Sequence, residues 1–406
     1  MDQSALEREP MDIAAHYRNL LSRRPMDPAL ESTGDVEPPD LSDPAIEERV
    51  RAARAQLHQI VREHLGDRAD LHEIADSIAA NGGDALRLLR DDDVQVEQQE
   101  DLQSGLEAIV RSDGSRPSFL IRNGDVDRTT SPIGDWADTL DTSAELLADA
   151  IACVGRIDLP GADQGYQGTG FLIQENLILT NRHVLQAITN SGGQGGWEFR
   201  PGATIDFGHE FRARGSVGPR ALKSLVFTGS KVIKSGGPVD HTKLDLALIE
   251  IEPAPPSAAP SRVLSVDAAV DWAEPELILF TIGYPANPGA NYTPTLLERL
   301  FQVTFGYKRL APGRVMKSAI TKQAWTMAHD ATTLGGNSGS VVLVAGREHI
   351  AAGLHYGGRG GEPRENWGHI LGLVLDEPDA SAPPTTLREQ LKKFGVTLLD
   401  RHGGGN

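Results

Sequence analysis

Residues 333–340, Thr333-Leu334-Gly335-Gly336-Asn337-Ser338-Gly339-Ser340, read TLGGNSGS, and the fold turns on how Ser338 is understood. Small residues around a serine either make a polar turn or let backbone amides converge on a reacting oxygen. A hydroxyl is a poor nucleophile near neutral pH unless an imidazole stands ready to take its proton. The imidazole in turn needs a carboxylate to fix its tautomer and stabilise the cation it becomes. The search outward from Ser338 is therefore for one histidine and one acid, each placed at a strand edge.

Two strings meet that requirement. GTGFLIQENLILTNRHVL (168–185) holds two apolar runs about a turn and then His183, and LDLALIEIE (244–252) sets Asp245 immediately before a strand-like run. Asp240 and Asp267 are rival acids, but neither directly precedes an apolar strand in the same way. The order His, Asp, Ser is that of the chymotrypsin type; subtilisins run Asp, His, Ser and α/β-hydrolases Ser, acid, His. Gly336-x-Ser338-x-Ser340 also lacks the closing glycine of the hydrolase G-x-S-x-G turn.

TNRHVL, DLALI and GGNSGS together resemble the trypsin-like (chymotrypsin-fold) serine peptidases, closest to the bacterial branch of glutamyl endopeptidases, over about residues 150–395. The resemblance implies a mainly β double barrel, two six-stranded antiparallel barrels with the triad His183, Asp245 and Ser338 in the cleft between them. It implies an oxyanion hole from the amides of Gly336 and Ser338. Asn337 stands where trypsin has the Asp that pairs with a newly cut N-terminus, so activity should not depend on such a cut. At the specificity pocket, Thr332 replaces the Asp of basic-specific members, which argues against cleavage after Arg or Lys. Thr333, and His355 within GLHYGG, match the positions that bind a substrate carboxylate in glutamyl endopeptidases. The expected activity is that of a serine endopeptidase working through an acyl-enzyme, with Glu or Asp before the cleaved bond as one specificity and a small or apolar residue as the other. A catalytically silent protease-fold adaptor and an esterase stay open as alternatives.

Composition bounds the rest. A charged fraction of 24% against 39% apolar residues describes a globular chain without a membrane-spanning run. The 406 residues carry a net charge of −18, all of it arising in the first 150, where 33 acids face 15 Arg and no Lys. No basic stripe is present to neutralise phosphates, so a nucleic-acid partner is not expected. The start MDQSALEREP is acidic where a secretory signal is basic, and one cysteine, Cys153, allows no internal disulfide; both point to the cytoplasm. Cys153 reads as a small core residue. The remaining histidines have no metal-ligand spacing, and Gly192-Gly193-Gln194-Gly195-Gly196 lacks the Lys of a phosphate loop, so no metal or cofactor is expected.

The expected organisation is a flexible acidic leader (1–42), a helical regulatory or interaction region (43–114), a hairpin and helix connector (115–150), the peptidase domain (151–395) and a C-terminal tail (396–406). A protein or peptide substrate and a protein partner for the helical region follow from this layout. Helices are predicted from Ser42-Asp43-Pro44 onward, over Leu71 to Ala80, Gly83 to Leu89, Glu97 to Val110 and Trp136 to Ala150. Asn123-Gly124 predicts a hairpin about Phe119 to Val126. Predicted strands include Ile151–Ile157, Leu177–Thr180, Leu246–Ile251, Leu277–Gly283, Val341–Val344, Ile350–Leu354 and Ile370–Val374, with a closing helix over Thr385 to Phe394.

Overall fold

The computed structural model describes residues 39–64, 67–93, 116–129, 133–191, 196–212, 218–234, 239–254, 262–286, 305–316, 325–333, 335–359, 365–381 and 383–399, with eight isolated positions before 110. Most of the acidic leader, most of the helix predicted over Glu97 to Val110, the loop 192–195, Leu334 and the tail from 400 lie outside the described residues. The chain divides into two compact units, one built on residues up to Ser115 and the other starting at Arg116.

The first unit holds α1 (Asp43–His64) and α2 (Ala69–Arg90). Ile46, Ala53, Leu57 and Val61 recur every three or four residues along α1 and are buried. Two helices were predicted where α2 is one, because Gly82-Gly83 reads as a break. The glycines instead serve close approach: a Cβ on Gly82 would lie 2.6 Å from the Gly105 carbonyl oxygen. Between the helices runs a chain of side-chain hydrogen bonds. His58 Nε2 donates to Asp76 (2.8 Å), His72 Nε2 donates to Asp67 (2.7 Å), and the two Nδ1 atoms meet at 2.9 Å.

The second unit opens with the hairpin β1 (Phe119–Arg122) and β2 (Asp125–Val126). Asn123 and Gly124 both take positive φ, 54° and 80°, as a type I′ turn requires. A helix α3 (Ala137–Ala152) then leads into the first barrel. That barrel comprises β3 (Val154–Asp158), β4 (Tyr166–Gln174), β5 (Leu177–Thr180), β8 (Thr204–Asp206), β9 (Arg220–Thr228) and β10 (Ala247–Ile251), closed in the order β10-β5-β4-β3-β8-β9. Between β5 and β8 come the short helix α4 (Arg182–Ile188) and the pair β6 (Thr189–Ser191) and β7 (Trp197–Phe199).

The second barrel uses β12 (Ile278–Gly283), β13 (Arg309–Met316), β14 (Thr326–His329), β15 (Val341–Val344), β16 (Ile350–Arg359) and β17 (Glu365–Ile370). Its path β12-β15-β16-β17-β14-β13 closes through the β12–β13 pairing. Strand β11 (Ser265–Asp267) joins β16 in parallel, and β1 of the hairpin extends the sheet at β13. The expected pair of six-stranded antiparallel barrels beside an N-terminal helical region is thus present. Each barrel strand finds partners on both sides over part of its length, which closes most of the sheet edges among the described residues.

Two predicted strands need correction. Helix α3 continues through Ile151, one of its buried positions, so β3 begins only at Val154. The run Ile370–Val374 is not a strand; β17 ends at Ile370 and Leu371–Val374 forms a single helical turn, α5. An apolar run this short carries no periodicity to separate the two states. The closing helix α6 (Leu387–Lys393) follows a capping box in which Thr386 and Glu389 exchange hydrogen bonds.

The barrels are stitched by Thr169 of β4, which is fully buried. Its amide donates to the Ser338 carbonyl (2.8 Å), its hydroxyl donates to the Gly336 carbonyl (2.9 Å), and the same hydroxyl accepts from the Tyr284 amide (3.1 Å). Thr169→Val keeps the shape and strands two backbone groups, each costing about 1–3 kcal/mol when buried unsatisfied. Denaturant unfolding of this variant is expected to show a loss of about 2–5 kcal/mol; a loss below about 1 kcal/mol would mean the seam does not lean on that hydroxyl.

Candidate active site

Register alone brings the first two polar residues together. In the β10–β5 ladder Ala247 pairs with Thr180, so two residues before β10 lies opposite two residues after β5. Asp245 therefore faces the first turn of α4, where His183 sits. His183 Nδ1 donates to Asp245 Oδ2 (2.6 Å), and the His183 amide donates to Asp245 Oδ1 (2.9 Å). An ionised carboxylate only accepts, so the ring proton sits on Nδ1 and Nε2 is left as the basic nitrogen. Asn181, at the N-terminal cap of α4, donates to the Asp245 carbonyl (2.8 Å) and fixes the backbone of the acid as well.

Ser338 lies in the turn just before β15, half-buried. Gly168 measures its closeness to the histidine: a Cβ there would stand 2.8 Å from Val184 Cγ2 and 2.9 Å from the Ser338 carbonyl oxygen. The serine turn and the residue next to His183 thus flank one point on β4. No hydrogen bond joins the Ser338 hydroxyl to His183 among the described residues. Such bonds often tighten only when substrate is bound.

The carbonyls of the turn are all engaged. Gly335 O accepts from the Ala286 amide (2.5 Å), Asn337 O from Ser340 (2.9 Å), and Gly336 O and Ser338 O from Thr169. Across a planar trans peptide the N–H points away from the C=O, so tying Gly335 O to Ala286 turns the Gly336 amide the other way. Neither the Gly336 nor the Ser338 amide has an acceptor among the described residues. Gly339 follows at φ +89°, and a Cβ on it would lie 1.9 Å from the Thr169 carbonyl oxygen, so only glycine fits there.

The predicted pocket residues separate. Thr332 turns its hydroxyl to the Arg116 carbonyl (2.8 Å), outside the cluster formed by the others. Thr333 is buried and donates to Asn366 Oδ1 (2.5 Å). His355, also buried, meets His329 across strands, Nδ1 to Nε2 at 3.3 Å, and lies close enough to His183 to feel its charge. Of the rival acids, Asp267 is buried beside Arg347 (3.4 Å) and Asp240 caps a turn at Thr242, so neither reaches His183. Cys153 is buried, and burial pushes its thiol up to about 12, as a core residue would have it.

One residue at the site has no counterpart in the sequence reading. The Asp245 amide donates to His369 Nε2 (3.0 Å) across the barrel seam, and the His369 ring stacks on Tyr356 at 4.3 Å. Accepting that bond requires a neutral ring, and burial supplies one by pushing the His369 pKa down to about 4. The only available signal was the segment ENWGHI, which the misplaced strand at Ile370–Val374 pushed out of the sheet.

His329 is likewise driven down to about 4 by burial, and His355 well below the usual imidazole value. Unfolded histidines titrate near about 6.5, so below that pH the unfolded chain binds protons that the fold refuses. Stability should be complete above about pH 6.5 and should fall as the pH drops toward 4, by about 1 kcal/mol per pH unit for each such ring. Urea unfolding between pH 4 and 8 measures this; stability flat across the window would show that these rings accept protons without opening the structure.

Comparison with known proteins bears on the family. Residues 168–351 match the trypsin-like peptidase domain. A probable serine protease of Lysobacter enzymogenes is 33% identical over 323 residues, covering 70% of this chain and 77% of that protein. Human heparin binding protein is 14% identical with a TM-score of 0.38, covering 56% of this chain and 89% of that one. An inactive form of Rv3671c from M. tuberculosis H37Rv is 16% identical with a TM-score of 0.33, covering 64% of this chain and 93% of that one. Structural likeness at this level does not bear on function. The sequence match does, extending at 33% identity over most of both chains: the chain belongs to the trypsin-like serine peptidases and is a serine endopeptidase.

Proposed function

We propose that the endopeptidase works through His183, Asp245 and Ser338. Ser338 attacks the scissile carbonyl, and His183 Nε2 takes the hydroxyl proton and returns it to the departing amine. Water, activated by the same nitrogen, then releases the acyl group. The observation that carries the reading is the pair of bonds from His183, ring and amide, to one carboxylate. The amides of Gly336 and Ser338 stabilise the oxyanion, each contributing about 2.7–4 kcal/mol in comparable sites. Substrate adds as a strand beside Tyr356 to Gly358, where β16 runs on past the end of its pairing with β15 at Leu354.

Cleavage after Glu or Asp is the specificity we favour. Its support is a pocket whose buried members, Thr333, His355 and Asn366, are polar and carry no fixed negative charge. An incoming carboxylate would raise the pKa of His355 and gain a charged partner. The acidic region before residue 115 we assign to regulation or targeting, because it carries 14 of the 18 excess negative charges while residues 151–406 are balanced.

A fluorophosphonate probe should label the folded wild-type protein and fail on Ser338→Ala, with His183→Ala losing about 10⁴-fold or more in kcat. Wild type left unlabelled would sink the enzymatic assignment of these residues. A peptide library should show cleavage after Glu or Asp at least about tenfold above Arg or Lys, a difference of about 1.4 kcal/mol. A chain starting at Arg116 should keep that profile and differ from the full chain on protein substrates. Equal rates on both substrate types would remove the regulatory role.

A further inference from the structure

We infer that Arg116 is a positioning residue of the peptidase, bracing the segment 330–333 that carries Thr333; this rests on the reading above, in which Ser338 is the nucleophile and Thr333 belongs to the substrate pocket. Arg116 opens the second unit. Three positions later the chain enters β1, where Phe119 pairs with Leu310 of β13, and the Arg309 guanidinium donates to the Ser118 carbonyl (2.6 Å). The course of the chain at 116 is thereby fixed against the second barrel. From there Arg116 makes two bonds to the segment that follows β14. Its Nη2 donates to Asp330 Oδ2 (2.7 Å), and its carbonyl accepts from the Thr332 hydroxyl (2.8 Å). Asp330 Oδ1 accepts in turn from the Arg314 amide (2.7 Å). The Trp136 ring takes the guanidiniums of Arg116 and Arg314 at 5.7 and 5.9 Å from its centroid, within the range of a cation–π contact.

Depth gives this brace its effect. The side chains of Arg116 and Asp330 are 7% and 6% exposed, so salt screens the pair little and removing either charge strands the other away from water. The grip on the segment alternates. Residues 330 and 332 are held by Arg116, and residues 331 and 333 by Asn366, whose Nδ2 donates to the Ala331 carbonyl (2.8 Å) and whose Oδ1 accepts from the Thr333 hydroxyl (2.5 Å). The serine turn has other supports. Ala286 binds the Gly335 carbonyl, and Thr169 binds those of Gly336 and Ser338. These two sets of anchors share no residue, so the position of Thr333 depends on Arg116 while the position of Ser338 does not. Misplacement by about 1 Å can cost up to about 100-fold. Loss of the brace should therefore weaken the hold on substrate and leave the nucleophile in place.

Arg116→Met tests this by keeping a long side chain and removing its charge. Full-length wild type and variant are compared in two measurements: KM and kcat on the peptide that wild type cleaves best, and the second-order rate of labelling by a fluorophosphonate with no side chain for the pocket. Both are normalised to titrated active sites. Unfolded protein is thereby removed from the count, and a role confined to stability moves neither number. KM is expected to rise at least about tenfold, with kcat and the labelling rate within about threefold of wild type. A KM within about threefold of wild type would overturn the inference and leave the ion pair a matter of stability alone. A labelling rate that falls as far as kcat/KM would also overturn it, since the brace would then serve the serine turn. Should Arg116→Met not fold, Asp330→Asn reads the same two measurements; it leaves Oδ1 to the Arg314 amide and removes the charge. A rise in KM of at least about fivefold is expected there, and an unchanged KM counts against. The triad reading fails separately. Wild type that takes no label removes the nucleophile and the inference with it, whereas labelled wild type beside an unmoved variant KM refutes Arg116 alone.

Discussion

The hydroxyl and amide of Thr169 hold the molecule at its most consequential point. This residue belongs to the first barrel, yet it reaches the carbonyls of Gly336 and Ser338 and the amide of Tyr284, all from the second. A catalytic unit split between two barrels is only as accurate as the seam that joins them, and side chains misplaced by about 1 Å forfeit much of the rate that positioning supplies. The clamp also explains the glycines around it. With the Thr169 carbonyl so close to the turn, position 339 has no room for a Cβ, and the chain there must take a positive φ.

A second constraint is electrostatic. The interior beneath Asp245 is furnished with imidazoles instead of the hydroxyls or carboxylates that could serve there, and burial keeps His329, His355 and His369 neutral. Neutrality is what their contacts require: His369 accepts from the Asp245 amide, and His329 and His355 share one bond. Each ring is therefore a rigid, aromatic hydrogen-bonding element, stacked where it can be, as on Tyr356. Carrying the acid's backbone on a ring from the opposite barrel links the geometry of the triad to the packing of β16 and β17. The same two strands carry His355 and Asn366, so the acid's backbone and these buried polar groups share one support.

Much of this was legible in the sequence, for definite reasons. Alternating apolar runs broken by glycine and proline specify antiparallel strands locally, and Asn123-Gly124 specifies its turn because few residue pairs tolerate two positive φ angles. His183, Asp245 and Ser338 stood out as candidates because each abuts such a strand and their order separates one fold from its rivals. What failed were short segments with no period to read. Ile151 belongs to a helix and Leu371–Val374 to a helical turn, and a four-residue apolar run looks the same in either state.

The sequence by itself determined the family and the barrels and singled out three candidate reactive side chains, since those follow from local pattern and from chemistry that tolerates few residue types. Only the tertiary structure decided how they are held and what the pocket offers. Thr169, Asn366 and His369 lie 169, 28 and 31 positions from Ser338, yet their partners are chosen by register between strands, which no local window contains. Thr333 reads in sequence as a donor to a ligand, whereas in the fold its one hydroxyl proton already goes to Asn366 Oδ1, because the direction of a hydroxyl proton is settled by the neighbour that receives it.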